Sequence, residues 1–73
     1  MSKLPVISGR QCVRALQEVG FVEDHQTGGH IILRRESPTV TISVPNHREL
    51  RKGTLRAIIK QAGLTVDEFV ELL

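Results

Sequence analysis

The sequence predicts an α+β fold in the order α-β-β-β-α: a three-stranded antiparallel sheet, helices on one face, and a short C-terminal helix. Three observations lead there. Apolar residues recur at helical spacing near both ends of the chain and at alternate positions through its middle. Glycine turns and a proline break divide the alternating part into three short runs. Seventy-three residues are enough for one small two-layer core and no more, so residues 1–73 are expected to form a single domain.

Each element has its own signal. Ser8 suits an N-cap, and Cys12, Val13, Leu16 and Val19 follow it near helical spacing, with Gly20 as the stop. That predicts a helix over residues 9–19, with Arg10, Arg14 and Glu18 toward solvent. Residues 21–25 read as a strand and 26–29 as its turn, where Gly28 and Gly29 permit a tight reversal. Residues 30–35 alternate, placing Ile31 and Leu33 on one face and His30, Ile32 and Arg34 on the other. After the break at 36–38, residues 39–44 alternate again. Val40, Ile42 and Val44 are expected inward and Thr39, Thr41 and Ser43 outward, and Pro45 ends the run by offering no donor. Residues 46–53 form a basic loop. Thr54 reads as the cap of a helix over 55–62, with Leu55, Ile58, Ile59 and Ala62 as its stripe and Gly63 as its stop. Thr65 and Glu68 match a capping box that opens the last short helix.

Charge narrows the partners. The formal net charge of +2 averages two unlike parts. Residues 1–64 hold all ten Lys and Arg against five acids, net +5, while residues 65–73 add three acids, net −3. A nucleic-acid surface would draw on the basic stretch between 30 and 60, although such clustering is also ordinary solvated surface. A lone cysteine cannot form an internal disulfide, and Cys12 falls where a small core residue belongs. The first residues lack the apolar core of a secretory signal, and no apolar run has membrane-spanning length. A cytoplasmic protein with no membrane partner is expected.

Three histidines carry the candidate chemistry. His30 follows Gly28-Gly29 on the polar face of a strand, where the sheet would hold an imidazole and the glycines would leave room for a substrate. His47 lies in the basic loop, where loop residue is the default reading. His25 lies near the end of the first strand and could neighbour His30 across the turn. The three lack metal-ligand spacing, so no metal and no cofactor are expected. Gly28-Gly29 is not a phosphate-binding loop, because neither the Walker lysine nor the dinucleotide fingerprint accompanies it. RNA suits so sparse a kit, since its 2′-hydroxyl is a built-in nucleophile. One base, one acid and some cations would then suffice. Arg34, Arg48, Arg51, Lys52 and Arg56 are the candidate cations, with His47 beside them.

Taken in order, Ser8-Gly9, Ala15-Leu16, Gly20-Phe21, Gly28-Gly29-His30, Val44-Pro45 with His47, Lys52-Gly53-Thr54-Leu55, Ile58-Ile59 and Gln61-Ala62-Gly63 cover nearly the whole chain. With Glu68-Phe69 near the end, they resemble the HicA-like (YcfA-like) mRNA interferase toxins of bacterial type II toxin–antitoxin systems. The resemblance implies a double-stranded-RNA-binding-domain-like fold, endonucleolytic cleavage of mRNA, and inhibition by a cognate HicB-like antitoxin. It puts the catalytic histidine at His30, while assembly as a homodimer or as a hetero-oligomer with the antitoxin stays open. Where the family has Gly-Ser-His, this chain has Gly28-Gly29-His30, so a hydroxyl beside the active residue is missing. Gln26 and Thr27 stand where the family often has a basic residue. The competing readings are a non-catalytic RNA-binding module on the same basic surface and an interaction protein serving only an acidic partner.

Overall fold

The computed structural model describes residues 3–73. Met1 and Ser2, part of the segment read for a secretory signal, lie outside the described residues. The elements are α1 (Gly9–Gln17), β1 (Val22–Thr27), β2 (His30–Arg35), β3 (Val40–Pro45), α2 (Lys52–Gln61) and α3 (Val66–Val70). The strands form one antiparallel sheet in the order β1-β2-β3, giving the architecture that the sequence predicts.

Local chemistry sets the helix ends. Ser8 closes a capping box on α1: its Oγ accepts from Gln11 N–H at 3.1 Å and its own N–H donates to Gln11 Oε1 at 2.9 Å. The helix stops at Gln17, two residues short of the expected end. Phe21 N–H then returns to the Leu16 carbonyl at 3.2 Å and turns the chain into the sheet. Thr65 and Glu68 form the expected capping box on α3, at 3.1 and 2.8 Å. The start of α2 differs from expectation. It begins at Lys52 after Arg51, which makes no side-chain cap, and Thr54 lies inside the first turn. The cause is tertiary: Leu50 is buried and its N–H donates to the Ile7 carbonyl at 2.9 Å, which pins the chain and lets the helix start early.

The sheet is longer at its turn than expected. β1 continues to Thr27, so the β1–β2 turn is only Gly28 and Gly29. Gly28 has φ +54° while Gly29 has no positive φ, the pattern of a II′ hairpin turn. Ile31, Leu33, Ile42 and Val44 are completely buried beneath the helices, packed with Leu16, Leu55, Ile58, Ile59 and Phe69. Each such side chain contributes roughly 1.5–3 kcal/mol of hydrophobic stabilisation. Cys12 sits in this core, and burial pushes its thiol pKa up to about 12, which leaves it inert as a nucleophile. Gly9 is required by close approach, since a Cβ there would collide with the Pro45 carbonyl. Its N–H donates to the His47 carbonyl at 2.9 Å, which fastens the start of α1 to the chain leaving β3.

Candidate functional site

The pleat sorts the residues of β2. His30, Ile32 and Arg34 fall on the face away from the helices, while Ile31 and Leu33 fall beneath them. Register then names their neighbours. His30 is opposite Thr27 on β1 and Pro45 on β3; Ile32 is opposite His25 and Ser43; Arg34 is opposite Val22 and Thr41. The open face is therefore polar except for Val22, Pro45 and the half-buried Ile32 at its centre.

His30 is exposed at the first position of β2. Its position is held from both sides. Gly28-Gly29 turns the chain into the strand, and Asn46 N–H donates to the Gly29 carbonyl at 2.7 Å. That second contact brings the basic loop to the His30 end of the sheet. His47 is exposed there, its carbonyl engaged by Gly9.

The expected cations divide into two groups. Arg48, Arg51, Lys52 and Arg56 are exposed and make no ion pair or side-chain hydrogen bond among the described residues, which leaves their charge toward solvent. Arg51 and Lys52 open α2, whose first turn has neither an acid nor a side-chain cap. Its unsatisfied N–H groups add a positive partial charge beside them. Arg34 stands apart: four residues along β2 from His30, about 13 Å in an extended strand, with its Nε donating to Glu36 Oε1 at 2.9 Å. Thr39 Oγ donates to the same Glu36 carboxylate at 2.7 Å; it and Arg34 hold the Glu36 pKa below its ordinary value.

Arg35 is not a surface cation. Its guanidinium lies 4.4 Å above the Phe21 ring and donates to the carbonyls of Val19 at 3.2 Å and Ala62 at 3.5 Å. It thereby joins the C-terminal ends of α1 and α2, where cations are favoured. Its sequence signal is its neighbour Arg34: in an alternating strand, one of two adjacent arginines must point toward the helices.

His25 is the residue whose setting the sequence conceals. The β1–β2 register shifts between Glu23 and His25, which makes Asp24 an extra, bulged residue. The bulge brings adjacent side chains together: His25 Nδ1 and Asp24 Oδ2 are 2.7 Å apart. Glu23, before the bulge, is held by α1 instead. Gln26 Nε2 at 3.2 Å and Arg10 Nη1 at 2.9 Å donate to it, and together they lower its pKa. Among the described residues no three His, Cys, Asp or Glu side chains come together as metal ligands, and no helix is long and apolar enough to cross a membrane.

Residues 9–64 match the family model described as HicA toxin of bacterial toxin-antitoxin. The span opens at the first residue of α1 and takes in the whole sheet and α2. The α-β-β-β-α order is the double-stranded-RNA-binding-domain-like arrangement expected of that family. No curated protein matches the chain.

Proposed function

The chain belongs to the HicA toxin family, and on that premise we propose that residues 1–73 form one toxin domain that acts as an mRNA interferase. His30 performs acid–base catalysis on RNA, with Gly28 and Gly29 giving the substrate backbone room to approach. Arg48, Arg51, Lys52 and Arg56, with His47, bind the phosphates, and Arg34 adds charge farther along the sheet. The 2′-hydroxyl supplies the nucleophile, so the reaction requires no metal and no cofactor. A HicB-like antitoxin inhibits the enzyme by covering His30 and offering carboxylates to the free cations.

One observation carries this reading. Within a chain of this family, an exposed imidazole stands at a strand start tied by a backbone hydrogen bond to a loop whose cations make no ion pair among the described residues. The test is incubation of the parent and His30→Ala with RNA in the presence of a chelator. The parent is expected to produce cleavage products and the variant none. Equal cleavage by both would remove His30 from the mechanism. Loss of parent activity on chelation would remove the metal-free route, and salt-sensitive binding without products would reduce the protein to an RNA-binding module. Growth arrest on expression, relieved by the neighbouring gene product, tests the antitoxin.

A further inference from the structure

We infer that His25, aimed by Asp24 through the β1 bulge, is the second proton-transfer residue of RNA cleavage and the partner of His30. The inference rests on the endonuclease reading above and deepens it by supplying a group the reaction needs. Cleavage by a 2′-hydroxyl moves two protons: one leaves the nucleophile and another reaches the departing 5′ oxygen. One imidazole holds only half of that exchange at any moment.

Three observations point to His25. First, it shares the open face with His30. His25 is opposite Ile32, so His30, two residues back along β2, is its diagonal neighbour. Such diagonal pairs lie about 7–8 Å apart between backbones, within joint reach of long or aromatic side chains. Two rings reaching inward over that distance can bracket one phosphodiester. Second, its ring has a fixed orientation. The Asp24 carboxylate holds Nδ1 at 2.7 Å, which leaves Nε2 as the free nitrogen. Third, that contact exists because of a bulge. In a regular strand Asp24 and His25 would point to opposite faces, and bulges beside active sites serve to re-aim side chains. Both side chains stay accessible, His25 at 53% and Asp24 at 49% exposure. His47 is the rival, but among the described residues no side chain orients it.

Asp24 holds Nδ1 and presents Nε2 outward; in this scheme His25 is the donor and His30 the acceptor. His30 takes the proton of the 2′-hydroxyl as the O2′–P bond forms. His25 Nε2 gives its proton to O5′ as the P–O5′ bond breaks. The products are a 2′,3′-cyclic phosphate and a 5′-hydroxyl end, and the two rings exchange protons with water to reset. Asp24 never touches the substrate and is a positioning residue.

A substrate in which sulfur replaces the bridging 5′ oxygen separates a proton donor from a structural residue, because a thiolate departs unprotonated. His25→Ala should lose roughly 10²–10⁴-fold on ordinary RNA yet cleave the sulfur substrate at about the parent rate. Asp24→Asn should lose less and be rescued in the same sense, while His30→Ala should be rescued on neither substrate. Equal losses of His25→Ala on both substrates would assign it a structural role and overturn the inference. So would full activity of His25→Ala on ordinary RNA, or sulfur rescue of His47→Ala in its place. Failure of the parent to cleave any RNA would overturn the endonuclease reading as well, so the two failures are distinguishable.

Discussion

On the face of the sheet that the helices cover, Ile31, Leu33, Ile42 and Val44 have no solvent exposure; on the open face, His30, Arg34, Thr41 and Ser43 are exposed from the same two strands. Adjacent residues thus do unrelated work. A strand of period two separates stability from chemistry without a separate scaffold, and a chain this short has little else with which to separate them. Substitution on one face should move stability alone and on the other activity alone.

The largest expected effect lies on the open face. His30→Ala should lower RNA cleavage by roughly 10²–10⁴-fold, with a thermal midpoint close to that of the parent because the ring is exposed and buries nothing. A drop in midpoint that accounts for the lost rate would break the comparison. The reciprocal change is Leu33→Ala, which leaves a cavity beneath the helices and should cost about 2–5 kcal/mol in urea unfolding. Cleavage per folded molecule should hold. If that rate falls as well, the two faces are coupled through the strand.

These contrasts were legible in advance because they depend on period alone. The alternation of 30–35 and 39–44 places Ile31, Leu33, Ile42 and Val44 inward, where they are buried, and the Thr65/Glu68 spacing marks the start of the last helix. What the sequence concealed depends on contacts between distant segments. Thr54 resembles a helix cap, yet Leu50 held by Ile7 starts α2 three residues earlier. Arg35 resembles one more surface cation, yet Phe21 and two helix ends absorb it. Residues 21–25 look like an unbroken strand, whereas Asp24 is an added residue whose bulge turns His25 and its carboxylate together. His30 was identifiable from its flanking glycines; the setting of His25 needed the register.

The two turn glycines repeat the comparison at smaller scale. Gly28 sits at φ +54°, so Gly28→Ala should cost about 1–2 kcal/mol even with open space around it. Gly29 has no positive φ and nothing within reach of an added Cβ. Gly29→Ser should therefore stabilise the hairpin by about 0.4–1 kcal/mol through the unfolded chain. It also restores the hydroxyl that the family places beside the histidine, so cleavage should be equal or faster. Urea midpoints of the two variants should move in opposite directions; movement in the same direction would mean the turn is not of the II′ kind.

The smallest effects concern two carboxylates on opposite sides of the sheet. Glu23 is tied to α1 through Arg10, and Glu36 to the open face through Arg34. Both have pKa values lowered from 4.5, Glu23 chiefly by Gln26 and then Arg10, Glu36 chiefly by Thr39 and then Arg34. A lowered folded-state pKa means the ionised form favours the fold. That contribution is present above the ordinary carboxylate pKa and disappears as pH falls through the lowered value. Either Glu→Gln change should flatten the acid limb of stability slightly, an effect best read by thermal midpoints between neutral pH and pH 3. RNA should tell the two apart. Glu36→Gln releases Arg34 to the open face and should steepen the salt dependence of RNA binding by about 0.7 in log–log slope. Glu23→Gln releases Arg10 on the helix side and should leave that slope alone. If Glu23→Gln steepens it and Glu36→Gln does not, RNA binds the helix side, and the open face loses its claim to the substrate.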